Sequence, residues 1–273
     1  MKKLSVFFAA VLYGAASLAG AEGESFPRVV PLPDRASRMP GSLFHSAEEK
    51  VELKSSYPSA INVFLLSYKD GRRALIDTGF GPGLQRELAE RKIPRESISA
   101  VFITHIHPDH VGGLVFDDGR PAFPEAKIYI SRREYEAWQR DPRRAALGKC
   151  FEPCRERIVL FDYDRELENW ELLPLLYPGH TPGHTVFKIA GKDAYFVGDI
   201  VHAVDLQVPH PGYCAKYDME PARAVASRRE LLMRGGVWYG SHIPFPGVVR
   251  IGRASDGTFR AVPVTAEAGK IKK

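Results

Sequence analysis

The stretch THIHPDHVGG, from Thr104 to Gly113, places three histidines and an aspartate within six residues. Imidazole nitrogen and carboxylate oxygen are the ligands that a catalytic zinc ion takes, and two sets of them so close together point to two ions rather than one. Pro108, Gly112 and Gly113 shape a turn there, and a turn can aim neighbouring side chains at one point. A second ion needs ligands from elsewhere in the chain. YPGHTPGHTVF offers His180 and His184, YFVGDIVH offers Asp199 and His202, and WYGSHIPFPG offers His242. Each group follows a β-rich run, so all of them can project from the same edge of a sheet.

The elements that must position these residues follow from periodicity. INVFLLSY and RALIDTG read as two strands joined by a turn at Asp70 and Gly71, GLQRELAERK as a helix, and ISAVFITH as the strand that delivers the histidine loop. AKIYIS, LLPLLYPG, TVFKIAG, DAYFVGD and GVWYGSH read as further strands, and RREYEAWQR and EPARAVASRRELLMRG as helices. No internal repeat, low-complexity linker or shift in composition marks a second domain. The expected architecture is a single α/β domain of mixed sheets faced by helices, whose strands outnumber its helices and meander more than they cross over.

A chain of 273 residues, 44% hydrophobic and 26% charged, can bury a substantial core. Its first 21 residues, MKKLSVFFAAVLYGAASLAGA, combine two lysines, a short apolar run and a small-x-small ending. They read as a secretory signal cleaved after Ala21, leaving residues 22–273 as the mature domain. The run is short for a membrane span of ~20 residues, and no later stretch comes near that length. The mature protein is therefore expected to be exported, periplasmic or secreted, with no membrane span after cleavage. Its 38 Lys and Arg against 33 Asp and Glu give a net charge of +5, which falls to +3 without Lys2 and Lys3. Aromatic residues do not interleave with basic ones as in a nucleic-acid groove, so the expected partner is a small molecule; the sequence sets no oligomeric state. Cys150 and Cys154 lie four apart and Cys214 is separate. A local disulfide and unpaired structural thiols both stay open.

Taken in order, H-x-H-x-D-H at 105–110, His184, Asp199 and His242, with IDTG at 76–79 upstream, resemble the metallo-β-lactamase superfamily in its binuclear zinc hydrolase branch. The resemblance spans most of the mature chain. GDIVHAVDLQVPHPG and the ending SHIPFPG look most like the exported subgroup of methyl parathion hydrolases and acyl-homoserine lactonases. It implies the αββα sandwich of that superfamily and two zinc ions, other divalent transition metals being alternatives. One ion would lie on His105, His107 and His184, the other on Asp109, His110 and His242, with Asp199 bridging. Asp77 would orient the histidine loop by hydrogen bonding. His45, His180, His202 and His210 are read as ordinary core or surface groups.

That resemblance also implies the chemistry. A hydroxide shared by the two ions attacks a carbonyl carbon or a phosphorus, one ion steadies the developing oxyanion, and Asp109 passes a proton to the leaving group. The expected activity is hydrolysis of an ester-like bond in a small molecule, a lactone of the acyl-homoserine type first and a phosphotriester or aryl ester second. A β-lactamase is disfavoured by the bridging carboxylate at Asp199, and glyoxalase II by the few residues, about thirty, that follow His242. A metal-loaded binding protein without catalysis is the alternative from another class. Phe245, Leu206 and Val208 are the apolar residues expected beside the substrate.

Overall fold

The computed structural model describes residues 26–140, 142, 149–167 and 169–264. The expected leader at 1–21 lies outside them. Two six-stranded sheets face each other. The first has the order β1 (Arg28–Pro40), β3 (Ser56–Ser67), β4 (Arg73–Ile76), β5 (Ile98–Phe102), β6 (Lys127–Ser131) and β7 (Ile158–Phe161). The second runs β14 (Phe259–Pro263), β13 (Val248–Arg253), β12 (Gly236–Gly240), β10 (Ala194–Gly198), β9 (Thr185–Ile189) and β8 (Leu172–Leu176). A two-stranded ribbon, β2 (Phe44–His45) with β11 (Cys214–Ala215), closes one side. Among the described residues the α-helices are α1 (Pro82–Glu90), α2 (Pro108–Val111), α3 (Arg132–Arg140), α4 (Val204–Gln207) and α5 (Pro221–Arg234).

Period-two alternation divides the strand side chains between two cores. Phe64 and Leu66 of β3 and Ala100 and Phe102 of β5 pack between the sheets against Phe187, Phe196 and Tyr239. Their neighbours Val63, Leu65 and Val101 point the other way, onto Leu84 and Leu88 of α1 and Trp138 of α3. On the far side of the second sheet, Val186, Val197 and Trp238 pack against Leu231 and Leu232 of α5. The result is four layers, helix, sheet, sheet and helix, in one α/β domain of mixed sheets.

Meandering describes the second sheet, where only β10 and β12 pair in parallel. In the first sheet β4–β5, β5–β6 and β6–β7 are all parallel, with α1 and α3 in two of the crossovers. Those connections carry the chemistry, because parallel strands end on the same edge. β4 ends at Ile76 just before Asp77, and β5 at Phe102 just before the histidine loop; β10 ends at Gly198 before Asp199, and β12 at Gly240 before His242.

The strand least legible in the sequence is β1, whose Pro31, Pro33 and Pro40 argue against a strand interior. Among the described residues it is an edge strand, paired with β3 alone, and its register shifts between Pro33 and Arg35. Asp34 is the residue the shift leaves unpaired, and the bulge turns its side chain inward. Its buried carboxylate accepts hydrogen bonds from the amides of Phe80 (3.0 Å), Gly81 (3.3 Å) and Leu84 (2.9 Å). It thus caps α1 and fixes the 77–84 loop.

Candidate metal centre

Side chains from both sheets converge at the shared edge. His105 Nε2, His107 Nδ1, His180 Nε2 and an Asp199 oxygen form one group, and Asp109, His110 and His242 form another, with the ligand atoms of each group within 4.8 Å of one another. His107 Nδ1 stands 2.9 Å from His105 Nε2 and 3.0 Å from His180 Nε2. Asp199 lies between the groups. Its Oδ2 is 3.1 Å from His180 Nε2, 3.6 Å from His105 Nε2 and 3.2 Å from His242 Nε2, while its Oδ1 is 3.1 Å from His110 Nε2. Asp109 Oδ2 reaches to 3.3 Å from His242 Nε2.

The rings are held from behind. His110 Nδ1 donates to Asp77 Oδ2 (2.8 Å), His180 Nδ1 to Asp218 Oδ1 (2.9 Å) and His242 Nδ1 to the Ala60 carbonyl (2.9 Å). His105 Nδ1 lies 3.1 Å from Thr104 Oγ1, whose hydroxyl donates to Asp77 Oδ2. Each bond keeps the far nitrogen protonated and aims the near one at a common point, the orientation in which an imidazole that gives up its near proton becomes a ligand. Asp77 also accepts the Thr104 amide; it sits at φ 58°, a backbone conformation the turn after β4 imposes.

The donor set fits a pair of divalent cations. His110 Nε2 and Asp199 Oδ1 are buried, 3.1 Å apart, and without a hydrogen-bond partner. Buried polar atoms are almost always satisfied, and ligand atoms at this spacing that do not bond one another are arranged around something else.

One ligand differs from the expectation. His184 does not face the groups: its Nε2 accepts the backbone N–H of Asp199 (3.0 Å), and its carbonyl accepts the Tyr177 amide at the base of the loop. His180, at the tip of that loop, takes the ligand position assigned to His184. Two histidines four residues apart in GHTPGH are equivalent as letters; the tight turn, closed by Gly179 N–H to the Thr181 carbonyl, separates tip from base. His184 has a different duty. It fills the space behind Gly198, at φ +50°, where a Cβ would meet its Nε2 at 2.6 Å.

His202, read as an ordinary core group, also lies in the site. It is buried, stacked on His242 with ring centres 5.1 Å apart, and its Nε2 is 3.1 Å from Asp199 Oδ2. Gln207 holds its backbone by accepting the amides of His202 and Ala203. Two further residues went unread because they are distant in sequence. Asp218 is one. Arg228 is the other, fully buried and donating to the carbonyls of Ile200, Pro211 and Tyr213, with Nη2 3.6 Å from Asp218 Oδ2.

Above the groups opens a cavity of about 370 Å³, whose lining adds Met39, Pro108 and Tyr217 to His107, Asp109, His180, Asp199, His202 and His242. Leu206 and Val208 are not in it. The short helix α4 turns them into the core, Leu206 against Phe44 and Tyr213 and Val208 beneath α5. Phe245 is 43% exposed in the turn before β13 and lies outside the lining. The three cysteines are free thiols.

Burial pushes His105 and His107 well below the ordinary histidine value, and His184 down to about 3, with neighbouring imidazoles adding to the push. Burial also works against charge on His180 and His242, but the carboxylates they face outweigh it. Asp199 and Asp218 raise His180 to about 9, and Asp199 with Asp109 raises His242 to about 10. Asp199 is itself held well below the carboxylate range, because the surrounding histidines overcome the cost of burying it.

This sandwich and its two-part donor set are those of a metal-dependent hydrolase, and the chain belongs to the metallo-β-lactamase superfamily, whose family model matches residues 56–251. A hydroxyacylglutathione hydrolase of Hyphomonas neptunium is 30% identical over 142 residues, 49% of this chain and 44% of that protein. The chain spans less than half the length of the curated relatives it matches. Among solved structures, the dizinc quorum-quenching lactonase AidC superposes with a TM-score of 0.79 at 25% identity, over 92% of this chain and 98% of that one. The hydrolase AbOPH gives 0.78 at 22% identity over the same shares, a likeness of fold.

Two measurements check this site. The protein is expected to take up two divalent ions per chain. His180→Ala should lose about one of them, whereas His184→Ala should keep both and lose about 1–3 kcal/mol of stability for the stranded Asp199 amide. Metal analysis showing the reverse pattern returns the ligand role to His184. In the metal-free protein, histidines held low leave the folded chain with fewer bound protons than the unfolded chain below pH 6.5, so stability falls as pH drops from there. Histidines held high keep their protons after the unfolded chain has lost them, so stability falls again as pH rises from 6.5 through about 9 and 10. The melting temperature in chelator should peak near pH 6.5, and saturating metal should flatten the alkaline limb. A chelated protein whose melting temperature climbs from pH 6.5 to 9 contradicts this.

Proposed function

We propose that the protein is an exported binuclear zinc hydrolase that opens ester-like bonds in small neutral molecules, lactones of the acyl-homoserine type first. The observation that carries the reading is the lining of the cavity. Beside its ligand groups it holds a thioether, a proline and a phenol, and no lysine or arginine among the described residues. A β-lactam or a glutathione thioester brings carboxylates that need a cationic partner. A lactone with an acyl chain, or a neutral phosphotriester, does not. The match to AidC, whose structure holds an acyl-homoserine product, supports the lactone as the first choice, and a phosphotriester or aryl ester is second.

Two zinc ions bound at the groups supply Lewis acidity and an activated water at neutral pH. The chain's own residues do the rest. Asp109, at the cavity wall, stays ionised: burial raises its pKa, but His110 and His242 outweigh that and hold it below the carboxylate range. It is placed to take a proton during attack and return it to the leaving oxygen. His202, in the cavity wall and stacked on His242 with Nε2 3.1 Å from Asp199 Oδ2, helps hold both of those groups in place. Met39 and Tyr217 give the non-polar wall against which an acyl chain packs.

With the zinc-loaded protein, kcat/KM for acyl-homoserine lactones should exceed that for a β-lactam, and should rise a few-fold per two methylenes of acyl chain as apolar surface is buried. Met39→Ala should reduce that increment. A β-lactam or an anionic thioester as the best substrate defeats the proposal, and tight binding without turnover across the panel favours a non-catalytic binder. Export is tested separately. Mass spectrometry of the protein from its native host should find a mature chain starting at Glu22, and a soluble cytoplasmic species retaining Met1 would refute it.

A further inference from the structure

Glu134 stands in the first turn of α3, fully buried, with no ion pair among the described residues. Its carboxylate is surrounded by N–H donors instead. Oε1 accepts the Ile106 amide (2.9 Å) and the Trp138 indole N–H (2.7 Å), and Oε2 accepts the Gly183 amide (2.8 Å). Ile106 is the residue between His105 and His107, and Gly183 closes the turn that carries His180. The Trp138 ring stands edge-on to the His107 ring, centres 5.8 Å apart. One carboxylate therefore touches both loops that supply the first ligand group, and the aromatic ring against which His107 packs.

The contact is built rather than incidental. A Cβ on Gly183 would meet the Glu134 amide nitrogen at 2.4 Å, so the His180 loop lies directly on the start of α3 and only glycine fits there. Ser131 and Tyr163 bind the same loop from beside it, both hydroxyls donating to the Gly183 carbonyl. Burying a carboxylate is costly, and strong hydrogen bonds to its charge offset that cost. The second group, Asp109, His110 and His242, has no contact of this kind with Glu134.

We infer that Glu134 is a positioning residue for the first metal site: it locks the spacing between the His105–His107 loop and the His180 loop, and so sets zinc affinity there without touching the metal or the substrate. The inference rests on the two-site metal reading above. Three N–H groups aim at this position, so glutamine is a sharp test. Its carbonyl can still take Ile106 and Trp138, while its amide N–H groups oppose the Gly183 N–H and release the His180 loop.

The experiment is a zinc titration of the full chain against a competing chelator, with histidine-ring nitrogen NMR reporting which group fills. Glu134→Gln should weaken zinc at His105, His107 and His180 by about 10–100-fold, the range seen when a metal ligand loses its support, with a much smaller change at His110 and His242. Trp138→Phe, which removes one donor and keeps the carboxylate and the fold, should shift the same site a few-fold in the same direction and keeps the test alive if Glu134→Gln does not fold. Wild-type affinity at the first site in the folded variants, even with lowered melting temperatures, overturns the inference and leaves Glu134 a structural residue. A wild-type protein that fills neither group overturns the metal reading itself, and this inference with it.

Discussion

The carboxylate of Asp199 is almost completely withdrawn from water, with four imidazole nitrogens between 3.1 and 3.6 Å from one oxygen. A buried, ionised carboxylate is among the least favourable groups a core can hold unless positive charge stands beside it. Protons on His110, His180 and His242 provide that charge in the bare protein, which is why those rings are held above their ordinary range while their neighbours are held below it. A divalent ion provides it at higher charge density. Much of the architecture serves to keep this one carboxylate among rings that cannot turn away: Asp77, Asp218 and the Ala60 carbonyl each hold one ring by its far nitrogen.

The supports are themselves layered. Asp34 fixes the loop that carries Asp77; Arg228 and Gln207 tie together the segments around Ile200, His202 and Tyr213 from which Asp199 and Asp218 are presented. Several of these residues are buried charges that contribute little to stability on their own account. Their value lies in geometry: a ligand set misplaced by even 1 Å loses its hold on the reacting groups.

What the sequence disclosed depended on whether a signal was local. H-x-H-x-D-H is a run of ligands in one turn, and the strands before Asp199 and His242 are plain apolar runs, so the sandwich, the two-part site and six of the seven proposed ligands stand together in the structure. GHTPGH carried no such information, because only the closure of its turn separates the ring at the tip, His180, from the ring at the base, His184. Leu206 and Val208 misled for a related reason. Apolar residues shortly after a ligand look like a substrate wall, but one turn of helix points them into the core, and the cavity is lined instead by Met39 and Tyr217, more than 150 residues apart. Strand β1 was hidden by its prolines, which an edge position tolerates. Glu134, Asp218 and Arg228 had no local signature at all, since what defines each is a partner far along the chain.

The division of the ligands between the two sheets has a mechanical consequence. His105, His107, Asp109 and His110 leave the first sheet, whereas His180, Asp199 and His242 leave the second. His107 and His180 are 73 residues apart, and Asp199 and His242 another 43. Ions seated here are rivets through the seam of the sandwich: each closes long loops of the unfolded chain, and the sheets cannot part without shedding them. Resistance to pulling, proteolysis and heat should then be set at that seam, so a chain released into an environment poor in metal would be fragile where the same chain, once loaded, is hardest to open.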